Sequence, residues 1–449
     1  MKKLLKILAI IIFLLLAITF VFIQPVDREH YSQKPHYQAT LDELSAFSNL
    51  QLDGDTLKAG WAQVPIIPPF QTAMAGYGDR EGALYEGIKD TLWVRAFVFD
   101  NGTTKAALLS ADLLIIPPEL TLALEADLPE IEWNIQNVYL TATHTHGSIG
   151  AWAPGFTGDK FAGEYKPEVI KFLSEQFRLA VQLAENDLVK TKIAFAKIEA
   201  SEYVVNRLVG EEGSIDPYVR MIELKREDEK SAVIYSYAAH ATCYGADEMH
   251  LHGDYPTPLS AYVKSFGYDM VSYMAGAVGS HGPAADELPN EEQIGYMVLG
   301  LGGKIRGSLA SMEPQYQREL GIINAPLYLG EPQARISQNW RIRPWVFKQL
   351  FGDYETRISG LLIGNNLLLG FPCDFSGELV APIEQHWQAK GFNGMISSFN
   401  GGYIGYITKD VHYELDSYET RIMNWYGPNN GAYFSELAIE LSNSFSTSR

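Results

Sequence analysis

Short apolar strands alternate with amphipathic helices along most of this chain. That alternation restricts it to an α/β or α+β architecture built on a mixed sheet. Residues 92–99 are apolar, β-branched and aromatic, and they run into an Asp-Asn-Gly turn. Residues 105–109, 138–143, 192–196, 218–224 and 232–239 read as further strands, several apolar enough for burial on both faces. Residues 361–369 read as two short strands turning at Asn365-Asn366. Helical spacing marks 119–128 after Pro117-Pro118, 291–311, and 167–186 with Val169, Phe172, Leu173 and Phe177 on one side. No repeat, low-complexity tract or Ser/Pro-rich linker divides residues 56–449, which are expected to form one large domain.

The first residues follow different rules. Three lysines lie within Met1–Lys6, and residues 7–23 are then uncharged and almost wholly apolar. With Leu4 and Leu5 in front, the run reaches the roughly 20 residues that a transmembrane helix needs. Lysines on its N-terminal side predict a cytoplasmic start and an extracytoplasmic domain, periplasmic or at the cell surface. The run ends Phe-Val-Phe-Ile-Gln-Pro, without the small residues of a signal-peptidase site and without a lipidated cysteine, so it reads as an uncleaved signal-anchor. Residues 24–55 are polar and mixed and read as a stalk, with a short helix expected near 40–50.

A net charge of −19 argues against nucleic-acid binding, which needs basic stripes. Two cysteines, Cys243 and Cys373, are too few for a disulfide framework. They are either separate buried thiols or one bridge.

Three segments share one layout, an apolar strand that delivers polar residues at its C-terminal end, where α/β folds gather their sites. The first strand delivers His144 and His146, and alternation puts both on one face if the strand persists. Neutral imidazole is a favoured zinc ligand, and it also serves acid/base chemistry. The second delivers His240, followed by a rival cluster of His250, His252 and Asp254. The third delivers Asp374, which is suited either to completing a zinc site or to capping a helix. A fourth segment, with Tyr403, Tyr406, Tyr413 and Tyr418 among glycines, reads as packing or as a substrate wall.

Taken together these segments resemble the catalytic domain of the neutral/alkaline non-lysosomal ceramidases. The resemblance runs through Ala59-Gly-Trp-Ala, Ile66-Ile-Pro-Pro, Ala75-Gly-Tyr-Gly and Ser110-Ala-Asp-Leu to the Thr-His-Thr-His of 143–146, its most specific element. It continues through Asn206-Arg207, Asp216-Pro217, His240 with Thr242, Gly253-Asp254-Tyr255, Gly276-Ala-Val-Gly279 and Tyr418-Glu419, in the family's order.

The resemblance implies a zinc-dependent hydrolase that cleaves an N-acyl amide bond, as in ceramide. It assigns His144, His240, Asp374 and Tyr406 as zinc ligands, and His146, Arg207 and Tyr418 as residues lining the reaction centre. Two departures stand out. Asp374 replaces the family's glutamate, and Gly282 falls where the family carries a serine often assigned as nucleophile. Either Ser280 substitutes, or metal-activated water attacks with His146 as general acid/base. The family's C-terminal immunoglobulin-like domain is not expected here. The alternatives are a zinc hydrolase of another amide or peptide, and an inactive, membrane-anchored binding protein. An apolar groove would favour a lipid substrate, and a narrow polar pocket the other hydrolase. If the segments holding Cys243 and Cys373 meet at the metal, the two cysteines become neighbours able to pair.

Overall fold

The computed structural model describes residues 3–8, 10 and 20–445. Most of the expected membrane segment lies outside them. Among the described residues no helix is long and apolar enough to cross a membrane.

The chain enters the fold at β1 (Ile23–Pro25), and α1 (Pro35–Ser45) follows. The large sheet then takes β2 (Lys58–Pro65), β3 (Trp93–Asp100), β4 (Lys105–Ala111), β5 (Val138–Ala142), β6 (Val189–Glu199), β7 (Tyr218–Arg226), β8 (Ser231–Tyr237) and β9 (Met270–Ala275). Their order is β9-β8-β7-β6-β2-β3-β4-β5, with Gln315–Tyr316 added beside β6. A smaller sheet begins with β10 (Leu320–Leu327). A hairpin of β11 (Arg335–Ser337) and β12 (Trp340–Ile342) intervenes before the rest of that sheet, β13 (Thr356–Ile363), β14 (Asn366–Gly370) and β15 (Asn393–Ser397). Its order is β10-β13-β14-β15.

Side-chain alternation decides how the layers stack. In β3, Val94, Ala96 and Val98 face one core, and Phe97 and Phe99 face another. The first core is roofed by α2 (Pro118–Asp127), α3 (Gly155–Ala162), α4 (Pro167–Glu185), α5 (Pro256–Lys264) and α6 (Asn290–Leu309). The second lies between the sheets, where Phe97 and Tyr139 share a cluster with Leu361 and Leu368. Helices α1, α8 (Val380–Ala389) and α9 (Asn430–Asn443) cover the far face of the small sheet. One further helix, α7 (Pro344–Phe351), follows the hairpin. Helices α1, α2, α4, α5 and α7 all carry proline at their first turn, where the missing N–H is not needed.

Within the two main sheets the parallel pairs are β4/β5, β8/β9 and β14/β15; outside them Gly87–Ile88 runs parallel to His250–Leu251, and Asp374–Phe375 to Tyr406–Ile407. Polar chemistry leaves the C-terminal ends of the main-sheet pairs. The large sheet curls until its ends approach, so that the Ser110 hydroxyl of β4 donates to the Tyr273 carbonyl of β9. Thr141 Oγ1 donates to the Ser398 carbonyl at 3.1 Å, and the Ser398 amide donates to the Ala275 carbonyl at 3.0 Å. The end of β15 is thereby tied to both edges of the large sheet.

Residues 24–55, read from sequence as a stalk, lie against the domain. Leu44 and Leu52 are buried beneath the small sheet, and the Tyr31 phenol donates to Glu436 at 2.8 Å. The sequence hides this because the segment's few apolar residues are enough for one flank but give no strong periodicity.

Candidate metal centre

His144 and His146 follow β5, and His240 follows β8. The strand does not persist to His144, so the condition under which alternation would place both histidines on one face is not met. β5 ends at Ala142, and His144 takes a left-handed backbone with φ of 60°. That conformation is costly for a residue with a Cβ and is concentrated at functional sites. Phe399, also left-handed, stacks on the His144 ring at 3.9 Å between centroids. The turn brings three imidazole nitrogens together: His144 Nε2 lies 2.7 Å from His240 Nε2 and 3.3 Å from His146 Nε2.

Backbone carbonyls orient two of the rings. His144 Nδ1 donates to Leu114 O at 2.6 Å, and His240 Nδ1 donates to Val278 O at 3.3 Å. A donor at Nδ1 leaves a lone pair at Nε2, so two acceptors confront each other with no proton between them. Asp374 enters from the end of β14, buried, with Oδ1 lying 3.7 Å and 3.8 Å from the same two nitrogens. That oxygen has no hydrogen-bond partner, whereas Oδ2 accepts from the Tyr403 phenol at 2.7 Å. Two facing lone pairs beside an orphaned carboxylate oxygen in a buried site fit a divalent cation. The nitrogen and oxygen donors are those that zinc takes.

Tyr406 stands beside this cluster, its ring stacked 6.4 Å from that of His240. Its phenol accepts from Arg207 Nη2 at 3.0 Å, and Arg207 Nε pairs with Glu419 at 3.0 Å. Tyr418 packs edge-on against Tyr406. All eight residues expected from the sequence therefore lie around one region, although Ser280 is differently engaged. Its hydroxyl pairs with that of Ser376, and its carbonyl accepts from the Arg207 amide. Gly279 lets this loop lie flush on the Asp374 strand, because a Cβ there would meet the Asp374 carbonyl oxygen at 2.3 Å.

The rival histidine cluster is not assembled. His250 pairs with Glu248 at the surface, while Asp254 accepts from the backbone amides of Cys243, Tyr244 and Tyr255. Cys243 and Cys373 are both free and buried, so the conditional disulfide does not form.

His144 and His146 open onto a cleft of about 160 Å³. Leu114, Ile115, Trp152, Phe161, Phe351 and Trp425 wall it, and Tyr403, Tyr406 and Tyr418 join His144 and His146 at its polar end. Sequence reasoning missed Tyr403 as a partner of Asp374, although it flagged the Gly-Gly-Tyr-Ile-Gly-Tyr segment that carries it. It missed Phe399 and Trp425 entirely, since neither stands in a pattern that signals a site.

Burial dominates the proton affinities. It drives His146 and His240 well below the usual imidazole range and His144 down to about 3, so all three are neutral at pH 7. It pushes Asp374 up to about 7, against the pull of Tyr403 and Arg207. Burial, with Asp374 adjacent, holds the Tyr406 phenol far above its usual range. The signs for stability follow. A histidine kept neutral by the fold costs nothing above its unfolded pKa of ~6.5, and costs more as pH falls below it, because unfolding then takes up protons. Asp374 acts oppositely between about 4 and 7, because the native state holds its proton more tightly than the unfolded chain. Three imidazoles outweigh one carboxyl. Metal-free protein is therefore expected to lose stability from pH 7 to pH 5, with a shallower loss in His146→Gln. Calorimetric melting across that range checks this, and a flat profile in the parent protein would contradict the neutral trio.

Residues 67–262 match the family model described as neutral/alkaline non-lysosomal ceramidase, N-terminal. The matched stretch contains His144, His146, Arg207 and His240 but not Asp374, Tyr406 or Tyr418. A neutral ceramidase of Mycobacterium tuberculosis is 24% identical over 203 residues, covering 40% of this chain and 31% of that protein. One from Drosophila melanogaster is 27% identical over 158 residues, covering 34% of this chain and 22% of that protein. The alignments thus span less than a third of those relatives. A crystal structure of neutral ceramidase from Pseudomonas aeruginosa superposes with a TM-score of 0.73 at 16% identity, over 88% of this chain and 74% of that one. A second solved structure, a ceramidase complexed with C2, gives 0.72 at 16% identity, over 87% and 75%. This likeness extends the shared fold past residue 262 to the part that carries Asp374 and Tyr406.

Proposed function

We propose that this chain is a zinc-dependent hydrolase that cleaves the N-acyl amide bond of a ceramide-like lipid, anchored by residues 7–23 with its domain outside the cytoplasm. One observation carries the reading: a cluster of neutral histidines with an orphaned carboxylate oxygen at the polar end of an apolar, aromatic cleft. An apolar cleft suits an acyl chain, whereas a peptide or cell-wall amide would call for more polar walls. The relatives named neutral ceramidases support the same substrate class.

In this reading His144, His240, Asp374 and Tyr406 hold the zinc. When bound, zinc supplies Lewis acidity, polarising the scissile carbonyl and bringing the pKa of a water toward ~7. The cleft walls hold the acyl chain and exclude bulk water. His146, neutral and with Nε2 turned toward the other imidazoles, accepts the proton of the attacking water and returns it to the leaving nitrogen as the C–N bond breaks. Arg207, held by Glu419, and the Tyr418 phenol steady the charge that develops on the carbonyl oxygen. Ser280 is not needed, because its hydroxyl is committed to Ser376.

Full-length protein is expected to release fatty acid from an N-acyl sphingosine, to lose that activity on chelation, and to regain it with zinc. Folded protein that takes up no zinc and hydrolyses nothing would overturn the reading in favour of a binding protein. Activity confined to peptide or cell-wall amides would overturn the lipid assignment alone.

A further inference from the structure

Strand pairing begins at the last residue of the apolar run. β1 lies antiparallel to β12, with Ile23 opposite Ile342 and Pro25 opposite Trp340. The preceding residues are clamped as well. The Arg343 amide donates to Phe22 O at 2.8 Å, Arg343 Nε to Phe20 O at 2.9 Å, and Trp345 Nε1 to Val21 O at 3.3 Å. Phe20 packs edge-on against Trp340, and Phe22 against Trp345 at 5.6 Å. These contacts leave much of the rings bare: Phe20 is 51% exposed, Phe22 45%, Trp345 52% and nearby Ile336 54%. Apolar groups gathered along one edge mark an interaction surface.

We propose that this edge, the end of the apolar run together with the β11–β12 hairpin and the start of α7, is a docking surface for a lipid bilayer that holds the cleft mouth at the interface. The inference rests on the anchor reading given above. Its occupant is set by chain continuity. Phe20 and Phe22 lie in the last four residues of the run assigned to the membrane, and its final residue, Ile23, already belongs to β1. Any bilayer that takes up the run must therefore meet this edge. Aromatic rings with one polar atom are the side chains that settle at such interfaces. Charge does not drive the contact, since the chain carries −19 overall and an anionic surface would repel it.

The geometry also joins this edge to the cleft. Helix α7 carries the exposed Trp345 in its first turn and ends at Phe351, a cleft wall, roughly 9 Å further along its axis at 1.5 Å per residue. Thr157 of α3 bonds the Leu350 carbonyl, and its neighbour Phe156 is 66% exposed. In this proposal α7 and α3 span the distance that a lipid amide would travel from the bilayer to the cleft.

The test uses the full chain in phosphatidylcholine vesicles. A fluorophore sensitive to polarity is attached at Trp345→Cys, and for comparison at Leu299→Cys on α6, which is 65% exposed. The two native cysteines are buried and stay unlabelled. Flotation reads the anchor, and quenching by brominated phosphatidylcholine reads the docking. Expected is at least threefold stronger quenching at 345 than at 299, with a blue-shifted emission that 1 M NaCl leaves unchanged. Equal quenching in protein that floats would overturn the docking surface and leave the anchor standing. Failure to float would overturn the anchor and the surface with it. A blue shift at 345 without lipid quenching would assign the edge to a second copy of the chain and overturn the proposal.

Discussion

Replacing His240 with alanine is expected to abolish zinc binding and to lower amide hydrolysis by at least a factor of about 10³, or ~4 kcal/mol of transition-state stabilisation. The imidazole is buried, and its one lone pair faces that of His144 at 2.7 Å. Removing it takes a donor from the cluster and opens a hole beside the rest. Metal analysis of the folded variant and its kcat/KM check the expectation. If zinc content and turnover match the parent protein, His240 is a packing residue and the centre lies elsewhere. His146→Ala refines the result. As a proton carrier His146 leaves zinc in place when removed and costs only turnover. As a third nitrogen ligand it would cost both, and its Nε2 at 3.3 Å from that of His144 makes this comparison necessary.

The second large effect is expected at Asp374. Asp374→Asn keeps the shape and removes the charge, so zinc affinity should fall by at least about a hundredfold, at the upper end of what outer-shell changes cost a metal site. The metal-free variant should be no less stable than the parent. Its carboxyl is pushed up to about 7 by burial, so at neutral pH the parent holds there a group that the fold disfavours when charged. Titration calorimetry with zinc and melting of the metal-free protein separate the two effects. Unchanged zinc affinity would remove Asp374 from the ligand set and leave the three histidines as the binding group. The Tyr403 phenol, which donates to Asp374 Oδ2, would then only orient a buried acid.

Much of the secondary structure is legible in the sequence, because alternation and helical spacing report burial directly. The strands near 92–99, 105–109 and 138–143 and the helices near 119–128 and 167–186 match β3, β4, β5, α2 and α4 within a few residues. The strand length of 192–196 was underestimated, because β6 runs from Val189 to Glu199 with exposed charged residues along it. The stalk was misread because its contacts with α9 and the small sheet involve scattered residues such as Tyr31 and Leu52.

The sequence by itself determined which side chains are available for chemistry. His144, His146, His240 and Asp374 each stand just after an apolar strand, and a strand end is an exit that local patterning specifies. It could not determine that these exits meet. β5 forms one edge of the large sheet and β8 lies next to the other edge, with five strands between them, and only the curl that brings β4 against β9 puts their loops together. The left-handed turn at His144 and the carbonyls of Leu114 and Val278 that aim the imidazoles are likewise tertiary facts. They depend on contacts between segments 30 and 38 residues apart, which no local pattern encodes. The apolar cleft is tertiary for the same reason, since Trp152, Phe351 and Trp425 become one wall only when three distant segments are packed around the histidines.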